Sequence, residues 1–457
     1  MKRLFGTDGI RGVAGEFPLD EKTIFVAGQS LARQLAKKKN LPKVEFVVGR
    51  DTRESGAWIE KFFCAGAQSA GAECISAGVI TTPGVAFLAA ALKVAAGVVI
   101  SASHNPFQDN GIKIFAHAGR KIDEETERQI EADIYQARAS NFEMPIQNAS
   151  GQTSQSKLQH DAKELHELYL NSLKSNFSDL SLKNLKIAVD CANGAASAFA
   201  PRLLESFGAQ VTAISNAPDG RNINLDCGSL HLEHLQKHVR AESADFGVAY
   251  DGDADRALFV DADGQFVDGD AILWVMAKHL QERGALKNNT VIATVMSNLG
   301  LEMALKSRAI KLVRTQVGDK YVLDELLKTG ASLGGEQSGH IIFTSSGLVG
   351  DGLLTTLFLL AAMRENNCGL ADLTAGFVKF PQILLNVRVR EKIPFENVRA
   401  IVEVVRTVEN EIGENGRLLL RYSGTESLAR VMLEGENQEI ITAQANRVAN
   451  VIQKELG

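Results

Sequence analysis

The chain has 457 residues, 45% of them hydrophobic and 23% charged, with a formal net charge of −6. That length exceeds one hydrophobic core and predicts three or four domains. The acidic balance argues against nucleic acid as a partner, so an anionic substrate would need a locally basic pocket.

The chain opens Met1-Lys2-Arg3-Leu4-Phe5-Gly6, without the apolar segment of a signal peptide. Gly6-Thr7-Asp8-Gly9-Ile10-Arg11-Gly12 follows, where glycines allow close backbone approach and Arg11 could grip a phosphate. A first strand-loop-helix-strand unit is expected over Lys43 to Val48, a helix from Ala57 to Ala70, and Glu73 to Val79. The most apolar stretch, Val85 to Ser101, is broken by Lys93 and too short to span a bilayer, so no membrane association is expected.

Ser101-Ala102-Ser103-His104-Asn105-Pro106 ends the apolar run Ala95 to Ile100 and presents hydroxyls on a tight turn. Ser103 suits a nucleophile or phosphoryl carrier once a base or metal assists it. His104 adjoins it, and Lys113, in a strand Ile112 to Phe115, could move a proton if desolvation lowers its pKa.

The polar run Asn148 to Gln155 reads as a linker. A second unit is expected over Leu185 to Asp190, a helix Ala195 to Phe207, and Gln210 to Ile214. The strand Asp245 to Tyr250 then leads into Asp251-Gly252-Asp253-Ala254-Asp255-Arg256. Three crowded carboxylates repel one another unless a cation neutralises them, and an oxygen-loving ion such as Mg²⁺ fits best. A hydroxyl loop paired with a triple-aspartate loop points to metal-assisted phosphoryl transfer.

A third unit is expected over Thr290 to Val295, a helix Leu301 to Ser307, and Lys311 to Arg314. Glu336, Gln337, Ser338 and His340, set among glycines, supply the donors and acceptors that sugar hydroxyls need. After a hinge around Val378 to Gln382, the order β-α-β-β-α predicts a small α+β domain. There Arg421, Ser423, Gly424, Thr425 and Arg430 could form an anion nest. The expected fold is therefore three related α/β domains (1–150, 151–255 and 256–378) plus a smaller α+β domain (379–457). Five scattered cysteines without a CxxC pair suggest reduced thiols and a cytoplasmic location.

Taken in order, Phe5 to Gly12, Ser101 to Pro106, Asp251 to Arg256, Gly335 to His340 and Arg421 to Glu426 resemble the α-D-phosphohexomutase superfamily. The resemblance implies three mixed-sheet α/β domains and the smaller last one set around a central cleft, Ser103 as the phosphoserine, and Mg²⁺ held by Asp251, Asp253, Asp255 and that phosphate. It implies sugar contacts from Glu336 and Ser338 and a distal-phosphate site at Arg421 to Thr425 with Arg430. Arg11, His104 and Lys113 are assigned to catalysis, and Arg256, Lys320, Gln337 and His340 to the substrate. The implied reaction interconverts glucosamine 6-phosphate and glucosamine 1-phosphate through glucosamine 1,6-bisphosphate, feeding UDP-N-acetylglucosamine and cell-wall precursor synthesis. The implied assembly is a homodimer through the first domain. Ser427 and Lys320 depart from the family's usual proline and arginine. The same chemistry on glucose or mannose phosphates, a metal-dependent phosphatase using Asp251 as nucleophile, and a non-catalytic sugar-phosphate binder are the alternatives.

Overall fold

The structure, a computed structural model, describes residues 3–39, 44–117, 119–140, 144, 161–423 and 426–457. The expected linker at 148–155 and the boundary at 150 lie outside the described residues.

Three sheets repeat one plan. In the first, Val44–Arg50 is central and pairs in parallel with Ala72–Val79 and Ala96–Ile100, and the latter pairs antiparallel with Asp109–Ala116. In the second, Lys186–Asp190 pairs in parallel with Gln210–Ile214 and Phe246–Tyr250, followed by antiparallel Ala257–Asp261. In the third, Thr290–Thr294 pairs in parallel with Lys311–Thr315 and Leu333–Gly335, followed by antiparallel Ile341–Phe343. Ala96–Ile100, Phe246–Tyr250 and Thr290–Thr294 are buried along their whole length, as strands covered on both faces must be. The first sheet also carries an N-terminal hairpin, Phe5–Gly6 with Gly9–Val13, on its antiparallel edge.

Two expectations need correction. The domain boundary expected at residue 255 falls between two hydrogen-bonded strands, since Ala257–Asp261 pairs with Phe246–Tyr250 and itself pairs with Phe266–Val267. The aspartate run looked like the end of a domain but is a hairpin turn within a sheet. The helix expected over Ala195 to Phe207 is instead a 3₁₀ turn, Ala195–Ala198, and a short helix, Ala200–Ser206. Pro201 occupies the first turn of that helix, where its missing N–H costs nothing, and its ring cannot continue a preceding helix.

One apolar core joins the three α/β domains, running from Val47 and Val99 through Val189 and Val248 to Val291 and Leu357. The helix Ala162–Ser175 contributes Leu165, Tyr169, Leu170 and Leu173 to it. The last domain has a separate core, built on an antiparallel sheet of Gln382–Arg388, Leu428–Gly435 and Gly416–Tyr422. Helices Arg399–Ile412 and Gln438–Leu456 cover it. Buried Asn298 clasps this domain to the third, bonding Phe380 N and O at 2.9 and 3.0 Å and Glu434 at 3.2 Å. Among the described residues no helix is long and apolar enough to cross a membrane. All five cysteines are unpaired.

Candidate active site

The three chemistry-bearing loops occupy the same place in the three domains. Each is the turn joining the last parallel strand to its antiparallel neighbour: 101–108, 251–256 and 336–340. They emerge from strand carboxyl ends, where open α/β sheets put their ligand sites.

Ser103 is fully buried and sits at φ 54°, in the left-handed region that costs a serine free energy and persists only under surrounding constraint. The constraints are visible. Ser103 N donates to Ser101 Oγ at 2.9 Å, and Ser103 O accepts from Arg53 Nη2 at 3.1 Å and Asn224 Nδ2 at 2.9 Å. Arg53 is itself buried against Asp51. Gly252 lets the aspartate loop approach, because a Cβ there would lie 2.5 Å from Ser103 O. Ser103 Oγ consequently donates to Asp251 Oδ2 at 2.5 Å, across two domains, with His104 Nδ1 3.4 Å away.

Asp251, Asp253 and Asp255 are buried, and each offers a carboxylate oxygen within 4.8 Å of the other two. Asp253 Oδ1 and Asp255 Oδ1 have no hydrogen-bond partner within the protein. Burial and the neighbouring Asp255 and Asp253 push the Asp251 carboxyl well above its usual range. Free, mutually repelling carboxylate oxygens fit a hard divalent cation, which would supply the missing charge.

Lys113 is buried, with Nζ 2.8 Å from Asp253 Oδ2, 3.3 Å from Asp255 Oδ2 and 3.0 Å from Asp8 Oδ2. The expectation of a lowered lysine pKa is overturned. Burial does disfavour its charge, but Asp253, Asp8 and Asp255 outweigh that and hold the pKa well above the usual value. His104 moves the other way: burial, with Arg256 and Arg11 nearby, brings it down to about 4, leaving a neutral imidazole at neutral pH. Arg11 pairs with Asp8; Arg11 Nε and Arg256 Nε are buried without a hydrogen-bond partner, the latter 3.8 Å from Asp255 Oδ1.

The third loop divides. Glu336 and Ser338 are half-buried and 3.4 Å apart at Oε2 and Oγ. His340 is buried; its Nε2 accepts from Gly350 N at 3.1 Å, so the ring proton lies on Nδ1, which is 3.7 Å from Asp255 Oδ1. It therefore backs the aspartate loop. Gln337 faces away, with Nε2 3.4 Å from Asp268 Oδ2 and its carbonyl accepting from Gly269 N. Lys320 is likewise engaged elsewhere, on Glu124 at 2.7 Å.

In the last domain Arg421 and Arg430 stand directly opposite on paired strands. Arg430 contacts Glu426 at 3.4 Å, and Arg421 Nη2 approaches Met296 Sδ of the third domain at 3.9 Å. Ser423 is buried, with Oγ accepting from Glu426 N at 3.3 Å. Gly424 and Thr425 lie outside the described residues. Two like charges this close suit an anionic ligand.

Sequence reasoning missed Asp8, Arg53, Thr82 and Asn224. Thr82 Oγ1 donates to Asp253 Oδ2 at 2.5 Å. Arg53 carried a signal, since Gly49-Arg50-Asp51-Thr52-Arg53 also ends a parallel strand. The others are brought in by tertiary contacts.

Four phosphoglucomutase/phosphomannomutase family descriptions match in order: α/β/α domain I at residues 2–141, domain II at 167–264, domain III at 268–380 and the C-terminal domain at 384–451. The chain is 48% identical to the phosphoglucosamine mutase of Solibacter usitatus over 100% of this chain and 99% of that one, and 45% identical to that of Koribacter versatilis over 100% and 98%. Its fold is similar to a crystallised phosphoglucomutase/phosphomannomutase family protein from Burkholderia thailandensis (TM-score 0.80, 24% identity, 99% and 97% covered). It is also similar to Aspergillus fumigatus N-acetylphosphoglucosamine mutase in complex with GlcNAc-6P and magnesium (TM-score 0.69, 18% identity, 99% and 95% covered). Motifs, repeated fold and full-length similarity agree: the chain belongs to the phosphoglucomutase/phosphomannomutase family of phosphohexomutases.

Proposed function

We propose that this enzyme interconverts glucosamine 6-phosphate and glucosamine 1-phosphate, with Ser103 carrying the phosphoryl group between turnovers. The observation that carries the reading is the 2.5 Å contact of Ser103 Oγ with Asp251 inside the three-aspartate cluster. The aminosugar follows from the full-length relatives named phosphoglucosamine mutase.

Asp251, Asp253, Asp255 and the Ser103 phosphate would hold Mg²⁺, which supplies charge to the transferring phosphoryl group when bound. A sugar hydroxyl attacks the phosphorus, the bond to Ser103 Oγ breaks, and the new ester makes glucosamine 1,6-bisphosphate. Neutral His104, with Nδ1 3.4 Å from Ser103 Oγ, would take the hydroxyl proton and pass it to the departing Ser103 Oγ. Lys113, kept protonated, and Arg11 place positive charge at the same phosphoryl oxygens. Return of the other phosphate to Ser103 reverses these roles after the intermediate turns over. Glu336 and Ser338 would hold sugar hydroxyls, with Arg256 beside them. Arg421, Ser423 and Arg430, with Gly424 and Thr425 of the same sequence motif, would hold the phosphate that is not reacting.

A coupled assay on glucosamine, glucose and mannose 6-phosphates, with Ser103 phosphorylation followed by intact mass, tests the reading. Preference for glucose or mannose would replace the substrate assignment. Release of inorganic phosphate without isomer would favour a phosphatase. A cytoplasmic homodimer is the proposed setting; sedimentation of the purified enzyme checks the assembly.

A further inference from the structure

Lys121 lies beyond the residues assigned above, yet its ammonium group is fully committed. Its three N–H donors reach Thr7 O at 2.9 Å, Asp8 Oδ1 at 2.8 Å and Asp319 Oδ1 at 2.8 Å. Asp8 uses its other oxygen for Lys113, at 3.0 Å, and for Arg11. Charges therefore alternate without a gap from Asp253 and Asp255 through Lys113, Asp8 and Lys121 to Asp319.

The far end of this chain sits beside the sugar loop. Asp319 begins the helix Asp319–Thr329, and the preceding Gly318 donates its N–H to Glu336 Oε1 at 3.0 Å. Gly318 also packs near Thr7, whose side chain would lie 3.5 Å from a Cβ added there. Packing alone does not close this junction. A cavity of about 490 Å³ separates the first and third domains here, with Phe115, Ile122, Leu323, Ile342 and Val349 on its walls. The Lys121–Asp319 pair spans the same junction, and both residues line this cavity. Its side chains are 15% and 20% exposed, against 28% and 51% for the neighbouring Lys320–Glu124 pair, so water screens it less.

We infer that Lys121 is a positioning residue: bridging Asp8 and Asp319, it fixes the distance between the sugar loop at Glu336 and the phosphoryl-transfer groups Lys113 and Arg11. This deepens the mutase reading and rests on it for its kinetic consequences. A sugar spanning the two domains must present its hydroxyl within about 3–3.5 Å of the phosphoryl group, so a loose junction lowers the fraction of bound substrate in reacting geometry. The loss falls on kcat as well as on KM.

The test compares Lys121→Met, Asp319→Asn and the double variant of the full chain. Each single variant should lower kcat/KM for glucosamine 6-phosphate roughly ten- to a hundredfold, with kcat falling. The double variant should be no worse than the worse single one, because both break the same link. Backbone amides at 318–323 and 336–340 should exchange hydrogen faster in Lys121→Met. Wild-type kcat/KM in both single variants, even with a lowered melting temperature, overturns the inference. So do additive losses in the double variant. Hydrogen exchange needs no turnover: a wild type inactive on glucosamine 6-phosphate sinks the functional reading, while unchanged exchange at 318–323 sinks the bridge.

Discussion

The Ser103 hairpin and the connection at Ser423 are both built around a buried serine, but Ser103 is held by partners from two domains and Ser423, through Lys392 and Leu428, from within its own. Ser103 is fully buried, strained at φ 54°, and anchored by partners from two domains. The Ser423 turn belongs to a domain with its own core, on a strand, Gly416–Tyr422, that is half-exposed throughout. Its arginines have thin company, Arg430 with Glu426 and Arg421 near a methionine sulfur. Covalent transfer needs one fixed geometry, since small displacements of reacting atoms are costly. A site that must accept either phosphate end of a turning sugar needs charge with tolerance.

The sharpest way to break this comparison is Ser103→Ala. Turnover should fall by roughly 10³ or more if the covalent route is required. Intact mass should show a phosphorylated fraction in the wild type and none in the variant. Turnover at the wild-type rate would remove the phosphoserine from the mechanism.

Next come the aspartates, whose apo energetics differ although their proposed role in metal binding is shared. Asp253 accepts from buried Lys113 and from Thr82, so Asp253→Asn should weaken Mg²⁺ binding and also lower apo stability, because Lys113 loses its nearest carboxylate and keeps only Asp8 and Asp255. Asp251 is the repelled member, so Asp251→Asn should raise the apo melting temperature while still weakening Mg²⁺ binding. The sign of the pH effect follows. Asp251's folded pKa is raised, so its contribution favours the metal-free fold below the unfolded value of about 3.9 and is lost as pH rises through the elevated folded value. Mg²⁺ should restore stability most at the alkaline end of that window. Melts across pH, with Mg²⁺ and with EDTA, check both signs, and a turnover rate indifferent to EDTA would dismiss the metal site.

Arg421→Ala tests the tolerant region. A charge-assisted contact contributes about 1.5–3 kcal/mol, so kcat/KM should drop roughly ten- to a hundredfold. Ser103 phosphorylation and the melting temperature should stay near wild type, because Arg421 has little protein company to lose. Normal kinetics with reduced stability would make the turn structural.

The smallest effect is expected from Lys320→Ala. Its partner Glu124 is exposed, so the melting temperature should not change measurably. A kcat/KM loss comparable to that of Arg421→Ala would show that Lys320 leaves Glu124 to reach the substrate.

Much of the site was legible because its residues are contiguous. Ser101 to Pro106 and Asp251 to Arg256 each end a fully buried apolar strand, and residues at that point can only be turns at a sheet edge. The contacts of Gln337, His340 and Lys320 with Asp268, Asp255 and Glu124 were not legible, because those partners lie far from them in sequence. The sign of the Lys113 shift was illegible because Asp8 lies 105 residues away in sequence and Asp253 a further 140 in the other direction.

Local sequence determined the repeated parallel units and the chemical inventory of the loops that follow their strands, since strand periodicity, proline and glycine act over a few residues. Only the tertiary structure decided that the turns of the first two domains meet at Ser103 and Asp251, and that Arg53 and Asn224 hold Ser103 in its strained conformation. It also decided that Lys113 stays charged. Electrostatic effects in a buried site depend on distances between groups far apart in the chain, and those distances exist only once the shared core has brought the three domains together.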